Sequence, residues 1–179
     1  MYIVFGTLIL ILACSCGPRG AFDNEKSQVI YQIIQINNRK LAKNGLYECM
    51  NGGGVDRSSG QALIDDISEG YKTTRYHFKT VEEARPFFCK IVEEFLQSLN
   101  ADGRIAPLMK NFPLTVNDIE ILIRLREEDG DMPLLPYLSG VNVLRGIVSY
   151  EGFDENCKFV TIHREPYEEA IKICQQSGK

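Results

Sequence analysis

The spacing of apolar and polar positions divides this chain into segments of different period. From Ser27 to Ala42, Ile30, Ile33, Ile34 and Leu41 recur at mostly helical intervals. This predicts an amphipathic helix, although the β-branched residues Val29-Ile30 and Ile33-Ile34-Ile36 also suit a strand. Thr80-Val81-Glu82-Glu83 has the capping-box form, in which the Thr80 hydroxyl accepts from the Glu83 backbone while the Glu83 side chain reaches back. The helix it opens carries Val81, Ala84, Phe88, Ile91, Val92, Phe95 and Leu99 on one face, with Glu82, Lys90, Glu93 and Glu94 toward water. Pro86 removes the bond to Glu82 and is expected to kink the second turn, and Asn100 to Gly103 ends the helix.

Elsewhere the period falls to two. Thr74, Tyr76 and Phe78 alternate within residues 71 to 78, and Ile119, Ile121, Ile123 and Leu125 alternate with Glu120, Arg124 and Arg126, so both stretches read as strands. Asp129-Gly130-Asp131 turns the chain. Residues 141 to 150 and 157 to 164, joined through Glu151 to Asn156, read as a hairpin. Pro166 starts a last helix, with Tyr167, Ala170, Ile171 and Cys174 sharing a face. The stretch from Asn51-Gly52-Gly53-Gly54 to Gly60 reads as a loop, because three successive glycines lose too much backbone entropy to sit inside an element. The order helix, strand, helix, three strands, helix predicts an α+β domain. Its expected form is a small antiparallel sheet of three to four strands packed against two to three helices.

The N-terminus has a different character. Met1 to Ala13 carries no charged side chain and forms an apolar run that ends at Cys14, before Gly17-Pro18-Arg19-Gly20. A bilayer core needs roughly 20 apolar residues, whereas the apolar region of a signal peptide needs about 7 to 15. The length therefore favours a cleaved signal over a span, the alternative being that residues 1–13 are a buried strand or helix. Ile11-Leu12-Ala13-Cys14 resembles the lipobox of bacterial lipoproteins, which implies that Cys14 receives diacylglycerol and becomes the mature N-terminus. Cys16 is the less fitting alternative, since Ala13-Cys14-Ser15 matches the box less well. Each buried CH₂ of an acyl chain contributes about 0.8 kcal/mol, so two or three chains hold a protein persistently. In the lipoproteins this resembles, a non-acidic residue after the lipidated cysteine, here Ser15, implies delivery to the outer membrane. The organisation expected is a signal peptide at 1–13, a lipidated tether at 14–24 and a single domain at 25–179.

A wider resemblance runs through Asn51-Gly52-Gly53-Gly54, Thr80-Val81-Glu82-Glu83-Ala84-Arg85, Glu93-Glu94-Phe95-Leu96 and Asn111-Phe112-Pro113-Leu114-Thr115. These blocks resemble a group of uncharacterised bacterial lipoproteins. The resemblance implies an envelope location and one shared fold across most of the mature chain, and it transfers no catalytic residue.

Composition narrows the function classes. The 179 residues include 20 Lys and Arg against 24 Asp and Glu, a formal charge of −4, so no basic field steers the molecule onto a nucleic-acid backbone. The six cysteines, Cys14, Cys16, Cys49, Cys89, Cys157 and Cys174, do not form a recognisable disulfide framework. Cys157 at a strand start and Cys174 on the last helix are a candidate disulfide pair. Zinc is not expected, because there is no CxxC and the histidines are His77 and His163. Gly52, Gly53 and Gly54, with Arg57, are a candidate anion-binding loop that lacks the P-loop lysine, and a plain turn is the commoner outcome for such a stretch. His77 with Cys89, or His163 with Glu165 and Asp154, can be drawn as catalytic groupings. Asp65-Asp66 and Glu127 to Asp131 are acidic without the spacing of a calcium loop.

No catalytic residue, metal or cofactor is therefore expected. The reading is a lipid-anchored envelope protein whose domain binds an unidentified protein partner, with no nucleic acid involved. Two rival readings are a membrane-proximal hydrolase using His77 or His163, and an acidic inhibitor or immunity-type lipoprotein that meets a basic partner through Glu127 to Asp131 or Glu165 to Glu169.

Overall fold

The computed structural model describes residues 25–56, 58 and 63–177. The expected signal segment 1–13, the tether 14–24 with Cys14 and Cys16, and Arg57 lie outside the described residues. In chain order the elements are α1 (Glu25–Lys43), β1 (Tyr47–Asp56), β2 (Leu63–Thr73), α2 (Val81–Asn100), a 3-10 turn (Val116–Asp118), β3 (Ile119–Leu125), β4 (Gly140–Leu144), β5 (Ile147–Phe153), β6 (Phe159–Pro166) and α3 (Tyr167–Ser177). The fold is α+β.

Among the described residues the sheet has six strands, in the order β1-β2-β3-β4-β5-β6. It is mixed: β2 and β3 run parallel, and the remaining neighbours are antiparallel. The expectation of a purely antiparallel sheet of three to four strands is corrected on both counts. A parallel pair requires a long crossover, and α2 with the segment after it supplies one between β2 and β3. The extra strands have two sources. Residues 51–54, expected as a loop, lie within β1. Residues 141–150, expected as one strand, fold back at Arg145-Gly146, whose φ values of 49° and 74° are those of a two-residue hairpin turn that twists with its strands.

The boundaries of β2 also differ from expectation. The strand starts at Leu63 and stops at Thr73, where the Arg75 N–H turns back to the Thr73 hydroxyl at 3.1 Å. Tyr76 and Phe78 therefore leave the sheet and pack on Phe87 of α2, with ring centroids 4.3 and 5.3 Å away. The start of α2 is as predicted: Thr80 accepts from the Glu83 N–H and Glu83 caps in return. The helix runs through Pro86 without interruption; Pro86 has no N–H to donate to the Glu82 carbonyl, and Glu82 lies on the exposed face.

All three helices contribute to one core on one face of the sheet. Ile30, Ile33 and Ile34 of α1 and Phe88, Val92 and Phe95 of α2 are at most 3% exposed, and they pack with Ile119, Ile121 and Ile123 of β3 in the same cluster. The other face is polar. Ser68 donates to Glu120, Asn142 to Glu151 and Arg164 to Ser149 across neighbouring strands, so among the described residues the helices cover the sheet on one side.

Candidate functional site

The core face of the sheet carries polar side chains in two transverse rows. From β1 to β6 the first row pairs Asn51, Glu69, Ile121, Val143, Val148 and Glu165, and the second pairs Glu48, Tyr71, Ile123, Val141, Tyr150 and His163. Each row is apolar in the middle and polar at its ends. Two buried polar centres result, one under α1 and one under α2.

The centre under α2 is built on Glu165. Arg85 reaches it from the second turn of α2 and donates from Nε and one terminal nitrogen at 2.8 and 3.1 Å. The Tyr150 hydroxyl donates at 2.8 Å, and His163 Nε2 stands 3.4 Å from the second oxygen. Burial pushes the Glu165 carboxyl up, but the Arg85 and Tyr150 hydrogen bonds and the Arg85 charge outweigh it, holding the group below the ordinary carboxylate range. Burial and the hydrogen bond to Glu165 together push the Tyr150 phenol up. A bidentate, hydrogen-bonded pair of this kind satisfies both charges inside the core.

The centre under α1 is built on Glu48 and Glu69. Glu48 accepts from Gln35 at 2.9 Å and from Asn38 at 2.7 Å, and Tyr71 donates to the Asn38 carbonyl at 2.8 Å. Asn38 thus commits its amide to Glu48. Among the described residues, Glu69, fully buried on β2, has no hydrogen-bond partner at either oxygen, and the Asn37 amide nitrogen also has none. Burial first, and then the Glu48 charge, push the Glu69 carboxyl up to about 8. Glu69 is therefore mostly protonated at neutral pH.

Of the groupings drawn from sequence, the structure assembles part of one. His163 meets Glu165, but Asp154 lies in the β5–β6 turn, where it accepts from the Asn156 and Lys158 N–H groups at 2.9 and 2.8 Å. Among the described residues no hydroxyl or thiol hydrogen-bonds His163. The contact orients an imidazole and supplies it with no nucleophile. His77 lies 4.0 Å from Glu127 and packs edge-on to Tyr137, whereas Cys89 is buried in α2 beside Cys174.

One further expectation is corrected. Gly52, Gly53 and Gly54 stand in β1 opposite Ser68, Ile67 and Asp66, so they form no loop. The Gly54 N–H donates to Asp66 at 2.8 Å, and a Cβ at Gly54 would come within 2.7 Å of the other Asp66 oxygen. A carboxylate already occupies the place an anion would take. Cys157 and Cys174 are not joined in the structure. Cys157 sits exposed in the β5–β6 turn with φ at 57°, and Cys174 packs against the core.

Asp65 and Asp66 line an open cleft of about 420 Å³ with Asp118, Glu120, Asn117 and Arg145. Burial raises the Asp118 carboxyl, but hydrogen bonds from Thr115 and Asn111 outweigh it and hold the group low. Lys110 neutralises Asp65 and Asp56 at 3.1 and 2.9 Å. Among the described residues no group of three or more His, Cys, Asp and Glu could hold a metal ion, and no helix is long and apolar enough to cross a membrane.

Sequence reasoning missed the apolar surface at the far edge of the sheet. On β6, Phe159 is 51% and Ile162 40% exposed, and Leu135 in the loop before β4 is 42% exposed. Phe153 meets Phe159 edge-on at 5.6 Å, and Leu135 and Ile162 close over the small Gly152. The available signal was the apolar composition of Phe153, Phe159 and Ile162 around a predicted hairpin, without a periodic face to bury it. No protein-family model, curated protein or solved structure matches the chain.

Proposed function

We propose that this chain is a lipid-anchored envelope protein, held at the membrane by acyl chains on Cys14, whose α+β domain binds another protein without catalysing a reaction. The observation that carries the binding reading is the apolar rim on β6. An edge strand leaves one row of backbone N–H and C=O groups unpaired, and large exposed apolar side chains beside such an edge are a template for an incoming strand. The occupant that fits is an extended segment of another envelope protein, its backbone pairing with β6 and its apolar side chains covering Phe159 and Ile162. The anchoring reading rests on the apolar run 1–13 and on Ile11-Leu12-Ala13-Cys14. The test is the double variant Phe159→Asp/Ile162→Asp, cross-linked in intact envelopes beside the wild type. Loss of the cross-linked adduct with an unchanged thermal midpoint supports the reading, and an unchanged adduct contradicts it.

The acidic cleft favours a second reading, in which Asp66 and Glu120 meet a basic partner in the manner of an inhibitor. Association whose rate falls steeply with added salt supports it, and a salt-independent rate contradicts it. Glu165 takes no part in such a surface, because Arg85 and Tyr150 already occupy it.

A further inference from the structure

Helix α1 commits its apolar stripe to the core, since Ile30, Ile33, Ile34 and Leu41 are all buried. Its other side is unlike the rest of the molecule. From Lys26 to Tyr47 the chain carries four Lys and Arg and no Asp or Glu, although its formal charge is −4. Gln32, Ile36, Arg39 and Lys43 follow one another at helical spacing, with Lys40 beside them. All five are exposed, Ile36 at 49%, and Tyr31 is a further large exposed side chain one residue before Gln32. Arg75 stands at the C-terminal end of the helix, its Cδ 3.0 Å from the place of a Cβ at Gly45. Among the described residues no ion pair engages Arg39, Lys40 or Lys43. Two carboxylates near this face are already engaged. Asp102, which shares a shallow depression with Ile36, pairs with Arg104 at 2.6 Å, and Glu48 accepts from Gln35 and Asn38. Lys40 and Lys43 also complement the carbonyl end of the helix, but that effect reaches only the last turn and does not account for so long a stretch without an acidic residue.

We infer that the outer face of α1 lies on an anionic phospholipid surface, with Arg39, Lys40, Lys43 and Arg75 over the headgroup phosphates and Tyr31 and Ile36 entering between them. The charge selects this occupant. A bilayer containing anionic lipid presents a negative plane, and a helix face on which basic and apolar side chains alternate complements it. Each basic residue near such a surface is worth about a five-fold change in partitioning, so four of them orient a protein that a second attachment holds. The acyl chains proposed at Cys14 are that attachment. The tether at 14–24 spans at most roughly 40 Å when fully extended, and α1 is the element that follows it. The inference takes nearness to a bilayer from the anchoring reading, and its chemistry from α1 and Arg75 alone. It also leaves the far edge of the sheet accessible, because α1 hydrogen-bonds to Glu48 on β1 whereas β6 is the opposite edge.

The test is lysine footprinting of the full chain at millimolar lipid, on vesicles of phosphatidylcholine alone and on vesicles with about 30% phosphatidylglycerol. A water-soluble acetylating reagent labels the accessible amines, and digestion with mass mapping locates them. Lys40 and Lys43 are expected to be labelled several-fold less on the anionic vesicles, while the exposed Lys90, Lys158 and Lys172 are unchanged. Salt at about 0.5 M is expected to remove the difference. Flotation with the phosphatidylcholine vesicles reads the anchor separately, so a failed anchor and a failed face give different results. In the Cys14→Ala chain, Arg39→Gln/Lys40→Gln/Lys43→Gln is expected to lower the ratio of partitioning into anionic over neutral vesicles roughly 100-fold, with the thermal midpoint close to that of the parent. Equal labelling of Lys40 and Lys43 on the two vesicles overturns the inference. So does protection by polyglutamate without protection by the vesicles, which would assign the face to an acidic protein.

Discussion

Glu69 and Glu165 occupy the same row of the same sheet face, separated by the apolar strands β3, β4 and β5, and both are buried. Each has a tyrosine two residues away along its own strand or on the neighbouring one. At Glu165 that tyrosine, Tyr150, turns its hydroxyl onto the carboxylate and Arg85 closes the other side, so the charge is kept. At Glu69 the corresponding hydroxyl, that of Tyr71, goes to Asn38, whose amide donates to Glu48, so burial and the Glu48 charge outweigh what Asn38 offers the carboxyl. Partners, and not burial alone, decide the outcome: Glu165 is held below the ordinary range and Glu69 is pushed up to about 8. One end of the core is locked by charge, and the other stays folded by giving its charge up.

The largest expected effect is from removing the cation. Arg85→Ala leaves Glu165 buried beside a lone hydroxyl and a half-exposed imidazole, and urea denaturation at pH 7 is expected to show a loss of about 3–5 kcal/mol. The same substitution combined with Glu165→Leu is expected to recover most of that loss, because an apolar core replaces an unpaired charge. An equal loss in the single and double variants breaks the comparison.

Glu69 is expected to show its effect through pH. Its carboxyl titrates near 4.5 in the unfolded chain and near 8 in the folded one, so the folded state holds its proton over the interval between. The stability it contributes is complete below the unfolded value and is lost as pH rises toward 8, a fall of a few kcal/mol. Glu69→Gln supplies the neutral shape permanently, so its stability is expected to be flat across that interval and above wild type at pH 8. Glu165 works in the opposite sense. Its stabilisation is present above the ordinary carboxylate range and is lost as pH falls through its lowered folded value. Together the two centres place a maximum of stability between their transitions, and denaturation midpoints measured from pH 3 to pH 9 check both slopes.

Smaller effects sharpen the picture. Tyr150→Phe removes one hydrogen bond from a carboxylate that keeps Arg85, with an expected cost of about 1–2 kcal/mol in the same urea assay. Thr80→Ala loosens the first turn of the helix that presents Arg85, with an expected cost of about 1 kcal/mol.

Elements whose signal is local were legible in the sequence. The α2 capping box, the alternation of Ile119 to Leu125 and the shared face of Tyr167 and Cys174 each depend on residues a few positions apart. β1 was not, because the reason for one of its glycines lies on the neighbouring strand: the Asp66 carboxylate crowds the place of a side chain at Gly54. The 141–150 hairpin was hidden because Arg145-Gly146 is an unusual pair for a turn with two positive φ angles. The start of β2 was hidden by its own polarity, since Asp65, Asp66, Ser68 and Glu69 mask a strand whose core positions include a carboxyl. His163 stands on a predicted strand and Glu165 just past its expected end, two residues on, so their meeting was legible. Arg85 is 80 residues away, and only the crossover through α2 brings it to them.

The anchoring proposal, on which the envelope role depends, is tested most directly by intact mass and detergent-phase partitioning of the protein expressed from its full gene in a bacterial host, beside Cys14→Ala. The account predicts loss of Met1 to Ala13, an added lipid mass and partition into detergent, all abolished by the substitution. Full-length, unlipidated protein in the aqueous phase would contradict it.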